Sequence, residues 1–580
     1  MLLFESIFVC QGYSKDYTLF NNGHSSYNIV VLEKSSASEK FAAEELQRFL
    51  YEISGTKIPI VNTLNKISNN RIIIGYETAK ECGLGTEMPN EDEQSFKYYN
   101  IGEDIVIIGG ATIGTLYGVY SFLENEFDCR WYTASESCIP RKNKWVFSSL
   151  YTCDSPAFNY RYIYSKGAFD KLWSLRNNNN GRPDNYITKY GNIHISQFPF
   201  WSVHTFNRFV APSIYYDEHP EYFSLVNGKR TDKQLCLTNK EVKRICLEGL
   251  RSIIKTRPDL MVYDLSQNDN LESCNCRKCK RIKKKTGSES GLNIWFVNQV
   301  AKELRKEFPE KYIGILAYQN TQRPPKSIKP VDNVVIRLSV INTCLIHGFI
   351  DCDKNLPTAS DIKEWTKISN NVFLWDYIST SRFNYVPIPN FNAIQVRLQY
   401  YHSCGVKGVL LEGNASIEDG EFSNLRNYVM AKLLWDPYVN VDKIVEDFIE
   451  HYYRDASSLM LKYYRMTQDR AKEQNNHLFF VMNHHNKIFS EEYLENAYDV
   501  LCKAENLTED VSIINKIKTE KMSVAYMLCK VNPKKAIKTG AYSFVREWTI
   551  NNNIEKFAGY GENSDTKDFF NQMQQYIENK

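Results

Sequence analysis

Between Asn28 and Trp131 the apolar positions switch between the two spacings that strands and helices leave in a chain. Ile29-Val30-Val31-Leu32 is an apolar run of strand length. Beyond it Ala42, Leu46, Phe49, Leu50 and Ile53 recur on one helical face. Ser36 and Glu39 have the spacing of a capping box at the start of that helix, and Gly55 stands where it should stop. Strands are predicted at Arg71 to Gly75 and Asp104 to Ile108, and a second helix over Gly114 to Glu124. Together they predict a small α+β domain over residues 26–150.

After Ser155-Pro156-Ala157-Phe158 the pattern changes. Across residues 151–440 strand-like runs alternate with amphipathic helices. Eight strands are predicted, the first at Tyr160 to Tyr164 and the last at Gly408 to Leu411; the second and third leave the weakest pattern. Ile313 to Tyr318, Val334 to Ser339 and Val372 to Trp375 are clear strands, with helices such as Asn293 to Phe308 and Asn392 to Tyr401 between them. No glycine-rich phosphate turn follows the first strand, so the series predicts a (β/α)8 TIM-like barrel of the α/β class rather than an open doubly wound sheet. Strand patterns then vanish, and residues 441–580 predict a helical C-terminal domain, with helices over Ile444 to Tyr453 and Ala456 to Ala471.

Composition narrows the function classes. The 580 residues are 43% hydrophobic and 24% charged, the balance of a folded globular chain. Against 71 basic residues stand 68 acidic ones, a net charge of +3, which provides no field to hold nucleic acid. The basic run Arg277 to Lys285 contains no aromatic residue and reads as a solvated helix face. No stretch approaches the roughly 18 apolar residues of a transmembrane segment. Residues 1–25 form a separate N-terminal segment. Met1 to Gly12 is apolar but carries Glu5 and no basic stretch, which fits either the remnant of an export signal or an ordinary first strand. The first reading makes a periplasmic or secreted location the expectation. Aromatic residues reach 13%, with 38 Tyr, and such platforms suit sugar rings and protein partners alike.

The densest chemistry lies in Tyr263 to Cys279, YDLSQNDNLESCNCRKC. An apolar run ends there in polar groups, and in a barrel that end of a strand carries the catalytic side chains. Asn268-Asp269-Asn270 is also ordinary turn chemistry. Two further acids end predicted strands, Asp376 in Trp375-Asp376-Tyr377 and Glu412 in Leu411-Glu412-Gly413. Three acids on one barrel face suit glycosidic cleavage, which uses one carboxyl group to give a proton and another as base or nucleophile. Cys274, Cys276 and Cys279 are spaced closely enough for a structural zinc, with Cys236 as a fourth ligand. Disulfides and free thiols remain open beside it. No cofactor is required for the chemistry itself. Neither Gly-x-Ser-x-Gly nor His-Glu-x-x-His occurs, which disfavours esterase and peptidase readings.

Gly114 to Trp131, GTLYGVYSFLENEFDCRW, resembles the small domain that precedes the barrel in glycoside hydrolase families 20 and 67, the β-hexosaminidases and α-glucuronidases. SPAFNYR (Ser155 to Arg161), HPEYFSLVNGKR (His219 to Arg230), QLCLTN (Gln234 to Asn239), SQNDN with CNCRKC, LWDY (Leu374 to Tyr377) and LRNYVMAKLLWDP (Leu425 to Pro437) are similar, in that order, to the family called domain of unknown function 4838. The resemblance implies a carbohydrate-active barrel with an oligosaccharide or glycan substrate, acting at a non-reducing end. The alternative is a carbohydrate-binding barrel without catalysis.

Where family 20 has an Asp-Glu pair this chain has Asn268-Asp269, and an amide cannot supply the charge that substrate assistance needs. The likeness to α-glucuronidases instead implies Asp269 as general acid with Glu412 or Asp376 as base, inversion, and carboxyl groups about 6.5 to 9.5 Å apart. Arg161 matches an arginine that grips sugar hydroxyls and is expected beside these acids. His204, Asn268 and Tyr318 are further hydroxyl-binding candidates, and Trp375 and Tyr377 candidate walls of the subsite.

Overall fold

In the computed structural model of the chain the apolar runs between residues 160 and 412 become one parallel sheet. The structure describes residues 15–63, 69–84, 87, 94–110, 113–181, 186–187, 193–194, 200–381, 383–415, 420–473, 476–482, 485–557 and 565–578. Met1 to Gly12, the proposed signal remnant, lies outside them. The strands are β1 (Tyr160–Tyr164), β2 (Phe200–Trp201), β3 (Val262–Asp264), β4 (Tyr312–Ala317), β5 (Val334–Ser339), β6 (Val372–Tyr377) and β7 (Gly408–Glu412). Their order across the sheet is β1-β7-β6-β5-β4-β3-β2, every neighbouring pair parallel. All six strands placed from the sequence between residues 160 and 411, including the apolar run Leu260 to Tyr263 that becomes β3, are present.

The sheet curls. Tyr160 at one edge joins Val262, Val335, Phe373 and Leu410 in a single buried cluster, although β1 and β3 are far apart in strand order. Gly408 permits the closeness of that packing: a Cβ there would meet Phe373 Cδ1 at 2.4 Å and Tyr160 Cβ at 2.7 Å. Seven parallel strands are described, not eight. Between β1 and β2 the described residues form the short helices Lys166–Phe169 and Lys171–Arg176, and their only strands are an antiparallel pair, Tyr186–Ile187 with Ile193–His194. The architecture is therefore a curled parallel half-barrel with helices, rather than a demonstrated (β/α)8 closure.

Helices α1 (Lys240–Thr256), α2 (Arg277–Thr286), α3 (Glu289–Glu307), α4 (Leu356–Ile368), α5 (Phe391–Ser403) and α6 (Ser423–Trp435) fall between and after the strands. The first shows why: Val242, Cys246, Leu250 and Ile254 lie four apart and are all buried, while the Asn239 side chain caps the first turn. Helices continue to residue 578, among them Val441–Tyr453, Ser457–Asp469 and Val511–Val531. They belong to the same compact unit as the sheet rather than standing apart from it. Glu520 in the last of them accepts from the Tyr453 hydroxyl at 2.8 Å and from the backbone N–H of Phe422, just before α6.

A second compact unit holds the described residues up to Trp131 and from Ser135 to Pro156, with the 186–194 pair. Its six-stranded mixed sheet packs with the helices Ala37–Ser54 and Gly114–Phe127. The capping box of Ser36 and Glu39 is formed, and Gly55 closes that helix at φ +72°.

Candidate active site at the strand ends

Side chains alternate across a strand, and this sorts the expected site residues into two groups. Tyr160 and Tyr162 of β1, Val335 of β5, Phe373 and Trp375 of β6 and Leu410 of β7 belong to the inner cluster. Glu412 and Tyr377 follow the same alternation and reach the inner rim at the C-terminal ends of their strands.

The loop after β3 presents Asp269. Ser266 Oγ donates to Asp264 at 2.6 Å, and Gln267 donates to Thr321 Oγ1 at 2.8 Å and accepts from Asn293. Asn268 donates to Asn207 Oδ1 and the Lys233 carbonyl, each at 2.8 Å, and Asn270 is held by Gln234 and Lys233. These neighbours spend their polar groups inside the protein, and Asp269 is left exposed. His204 backs the loop from the end of the β2 connection. Its N–H donates to Ser266 Oγ at 3.0 Å, and Nδ1 donates to the Gln267 carbonyl at 2.7 Å, which leaves Nε2 as an acceptor. The residue holds a left-handed backbone at φ +54°, uncommon for any residue but glycine. Its ring centroid lies 5.9 Å from that of Tyr318.

Tyr318 feels the charges of both Asp269 and Glu412. Burial raises this phenol's pKa first, and it is pushed further by the Asp269 charge, by hydrogen bonding to Asp269 and by the Glu412 charge. Tyr377, raised chiefly by burial, also feels Glu412, Tyr318 and Asp269, and its hydroxyl lies 3.3 Å from Ser339 Oγ. Glu412 itself is raised by burial, partly offset by the Trp375 indole N–H, which donates to it at 2.6 Å. Below the rim, Arg337 on the inner face of β5 lies over the Trp375 ring, 5.7 Å from its centroid, and its charge faces Asp264. Burial lifts the Asp264 carboxyl to about 6 despite that charge. The Phe480 ring packs on Tyr377 at 4.6 Å.

Three expected members are elsewhere. Asp376 points to the outer face of β6, as its place between Trp375 and Tyr377 requires. It is 2% exposed, accepts from the Tyr401 hydroxyl at 2.6 Å and from Arg397 Nε at 2.9 Å, and also pairs with Arg397 Nη2. Its carboxylate is consumed by structure. Arg161 likewise faces outward from β1. It is fully buried, donates to the carbonyls of Asn178 and Phe158 at 2.7 Å each, and stacks on Trp435 at 5.0 Å. It shares no pocket with Asp269, contrary to expectation. The Asn268 amide is tied to Asn207 and Lys233 and is not offered to a ligand. Arg337 and Phe480 were missed. A lone arginine in the apolar run VVIRLS marked the first, whereas nothing local marks the second.

The sulfurs of Cys236, Cys274, Cys276 and Cys279 all lie within 4.8 Å of one another. Cys236 is 3.8 Å from Cys276 and 3.9 Å from Cys279. A disulfide requires about 2.05 Å, whereas the edge of a tetrahedral zinc-thiolate site is about 3.8 Å. The donor set thus fits zinc. It ties Cys236, two residues beyond the Gln234 that braces Asn268 and Asn270, to the loop carrying Asp269.

The family model for domain of unknown function 4838 matches residues 131–465, more than half of the chain. No curated protein matches the sequence. Among solved structures the chain is similar to a family GH115 4-O-methyl-α-glucuronidase with specificity for decorated arabinogalactans, with a TM-score of 0.56 and 11% identity over 95% of this chain and 79% of that one. It is also similar to a GH138 enzyme targeting pectin rhamnogalacturonan II, with a TM-score of 0.53, 11% identity and the same coverage. At these identities the likeness is one of fold, that of glycoside hydrolases. The match across residues 131–465 decides the family: the chain belongs to the domain of unknown function 4838 family.

Proposed function

We propose that this protein is a glycoside hydrolase acting at the non-reducing end of a glycan through Asp269 and Glu412. The observation that carries the reading is that Glu412, at the C-terminal end of β7, is held by the Trp375 indole N–H, while Asp269 stands exposed on the loop after β3, another strand end of the same sheet. Glu412 is the proton donor. Burial raises its pKa, so it keeps a proton nearer neutral pH than an exposed carboxyl, and its Trp375 bond occupies one oxygen and leaves the other for the glycosidic oxygen. Asp269, exposed and beside Tyr318, activates water. This exchanges the roles expected from the sequence, and burial is the reason. The Asn268 amide is committed to Asn207 and Lys233 and orients no substrate acetamido group; with Asp269 as base on water rather than as nucleophile, the expected outcome is inversion.

The test is turnover on a panel of aryl α- and β-glycosides that includes glucuronides and N-acetylhexosaminides, together with arabinogalactan and rhamnogalacturonan fragments, chosen because the two fold relatives act on such polymers. The anomer first released is read by proton NMR. Hydrolysis with inversion is expected. Binding of a fragment without hydrolysis of any member would favour the carbohydrate-binding alternative.

A structural zinc in the four-cysteine cluster belongs to the same proposal. Cys276→Ser is expected to remove one equivalent of zinc and to lower the melting temperature and turnover together, since the cluster braces the Asp269 loop. Unchanged zinc content with a reductant-sensitive melting temperature would instead indicate disulfides.

A further inference from the structure

A second group of soft ligands lies outside the site described above. Cys344, His347 and Cys352 stand on the loop between β5 and α4, and His477 comes from the segment 476–482, more than a hundred residues later. One donor atom from each lies within 4.8 Å of the other three. We propose that these four residues form a structural zinc site that fastens the 476–482 segment to the end of the sheet.

The distances suit that ion. Cys344 Sγ is 3.3 Å from His347 Nδ1, and Cys352 Sγ is 3.7 Å from His477 Nδ1. Tetrahedral zinc, with bonds of about 2.3 Å to sulfur and about 2.0 Å to nitrogen, separates the two kinds of donor by about 3.5 Å. The tautomer is prepared as well. His347 Nε2 donates to the Ala471 carbonyl at 3.0 Å, so the proton sits on that nitrogen and Nδ1 turns its lone pair toward the sulfurs. Such an outer hydrogen bond is how metal-binding imidazoles are usually oriented. Two thiolates and two neutral imidazoles around a divalent ion leave no net charge, which matters where Cys344 and Cys352 are buried. A disulfide between these cysteines would explain neither imidazole.

The loop is built before any ion arrives. Asn355 accepts from the Cys344 N–H at 2.7 Å and donates to the carbonyls of Cys344, His347 and Gly348. Arg397 Nη1 adds a bond to the Cys344 carbonyl at 2.8 Å. Little ordering is left for the metal to impose on this loop, so its binding energy goes into holding His477 and the segment behind it. That segment is stitched on by Leu345 N–H to the Leu478 carbonyl at 2.7 Å and Ser381 N–H to the Phe480 carbonyl at 2.8 Å, and it sets Phe480 on Tyr377.

The experiment counts zinc in protein purified under reducing conditions and refilled with zinc. His477→Ala is expected to hold one equivalent fewer than wild type, and His477→Cys, which restores a soft donor, to recover it. Equal zinc in wild type and a folded His477→Ala variant would overturn the site. A measurement on the wild type alone guards against a variant that fails to fold: the zinc K-edge fine structure should contain imidazole scattering beside sulfur. A sulfur-only shell, or protein that takes up no zinc, would overturn the proposal, whereas a mixed shell supports it. Neither readout depends on hydrolytic activity.

Discussion

Glu412→Gln is expected to lower turnover on a natural glycan by about 10²- to 10⁴-fold, the usual contribution of a positioned proton donor, while ligand affinity changes little. Asp269→Asn should cost a similar factor for a different reason, and leaving groups tell the two apart. An aryl glycoside whose phenol departs without protonation should restore most of the activity of Glu412→Gln and little of that of Asp269→Asn. The pH profile gives a second reading. A donor works only while protonated, so Glu412 should set the alkaline limb of kcat/KM, displaced upward from the ordinary carboxylate range because burial raises it. Glu412→Gln should abolish that limb. If the leaving-group rescue falls on Asp269→Asn instead, the original assignment of the proton to Asp269 is the right one.

Asp376→Ala is expected to cost about 3 to 5 kcal/mol of stability, the usual penalty for stripping one partner from a buried ion pair. It would leave the Arg397 guanidinium inside the protein with its charge unmatched, and Tyr401 without its acceptor. Denaturant unfolding measures the loss. Turnover per folded molecule at low temperature should stay near wild type, because the carboxylate faces away from the rim. A fall in turnover as deep as that of Glu412→Gln, without loss of stability, would return Asp376 to the chemistry.

The contrast between these two acids shows what the sequence could tell. Apolar runs ending in polar residues located β1, β3, β4, β5, β6 and β7, because burial demands continuous hydrophobicity wherever it occurs. Facing is equally legible. Trp375, Asp376 and Tyr377 are consecutive residues near a strand end and cannot all point one way, and Arg161 between Tyr160 and Tyr162 poses the same choice. The inner tyrosines and tryptophan settle which side the acid and the arginine must take. Asn268 escaped that logic, since its direction is fixed by Asn207 and Lys233, distant in sequence. Cys236 was within reach as a fourth sulfur because soft ligands are few. The Cys344, His347, Cys352 and His477 group was not, since one member lies far along the chain with no local signal.

Phe480 separates the enclosure of Tyr377 from the family-matched stretch. The family match ends at residue 465, yet the ring that packs on Tyr377 belongs to a segment beyond it. Asp269, Glu412 and the strands that carry them thus lie within the matched stretch, and the ring over Tyr377 lies outside it. Exchange of a few residues near position 480 would reshape the space above Tyr377 without moving any strand. On the proposed reading, such a change would alter which sugar fits above Tyr377 while Asp269 and Glu412 stay in place.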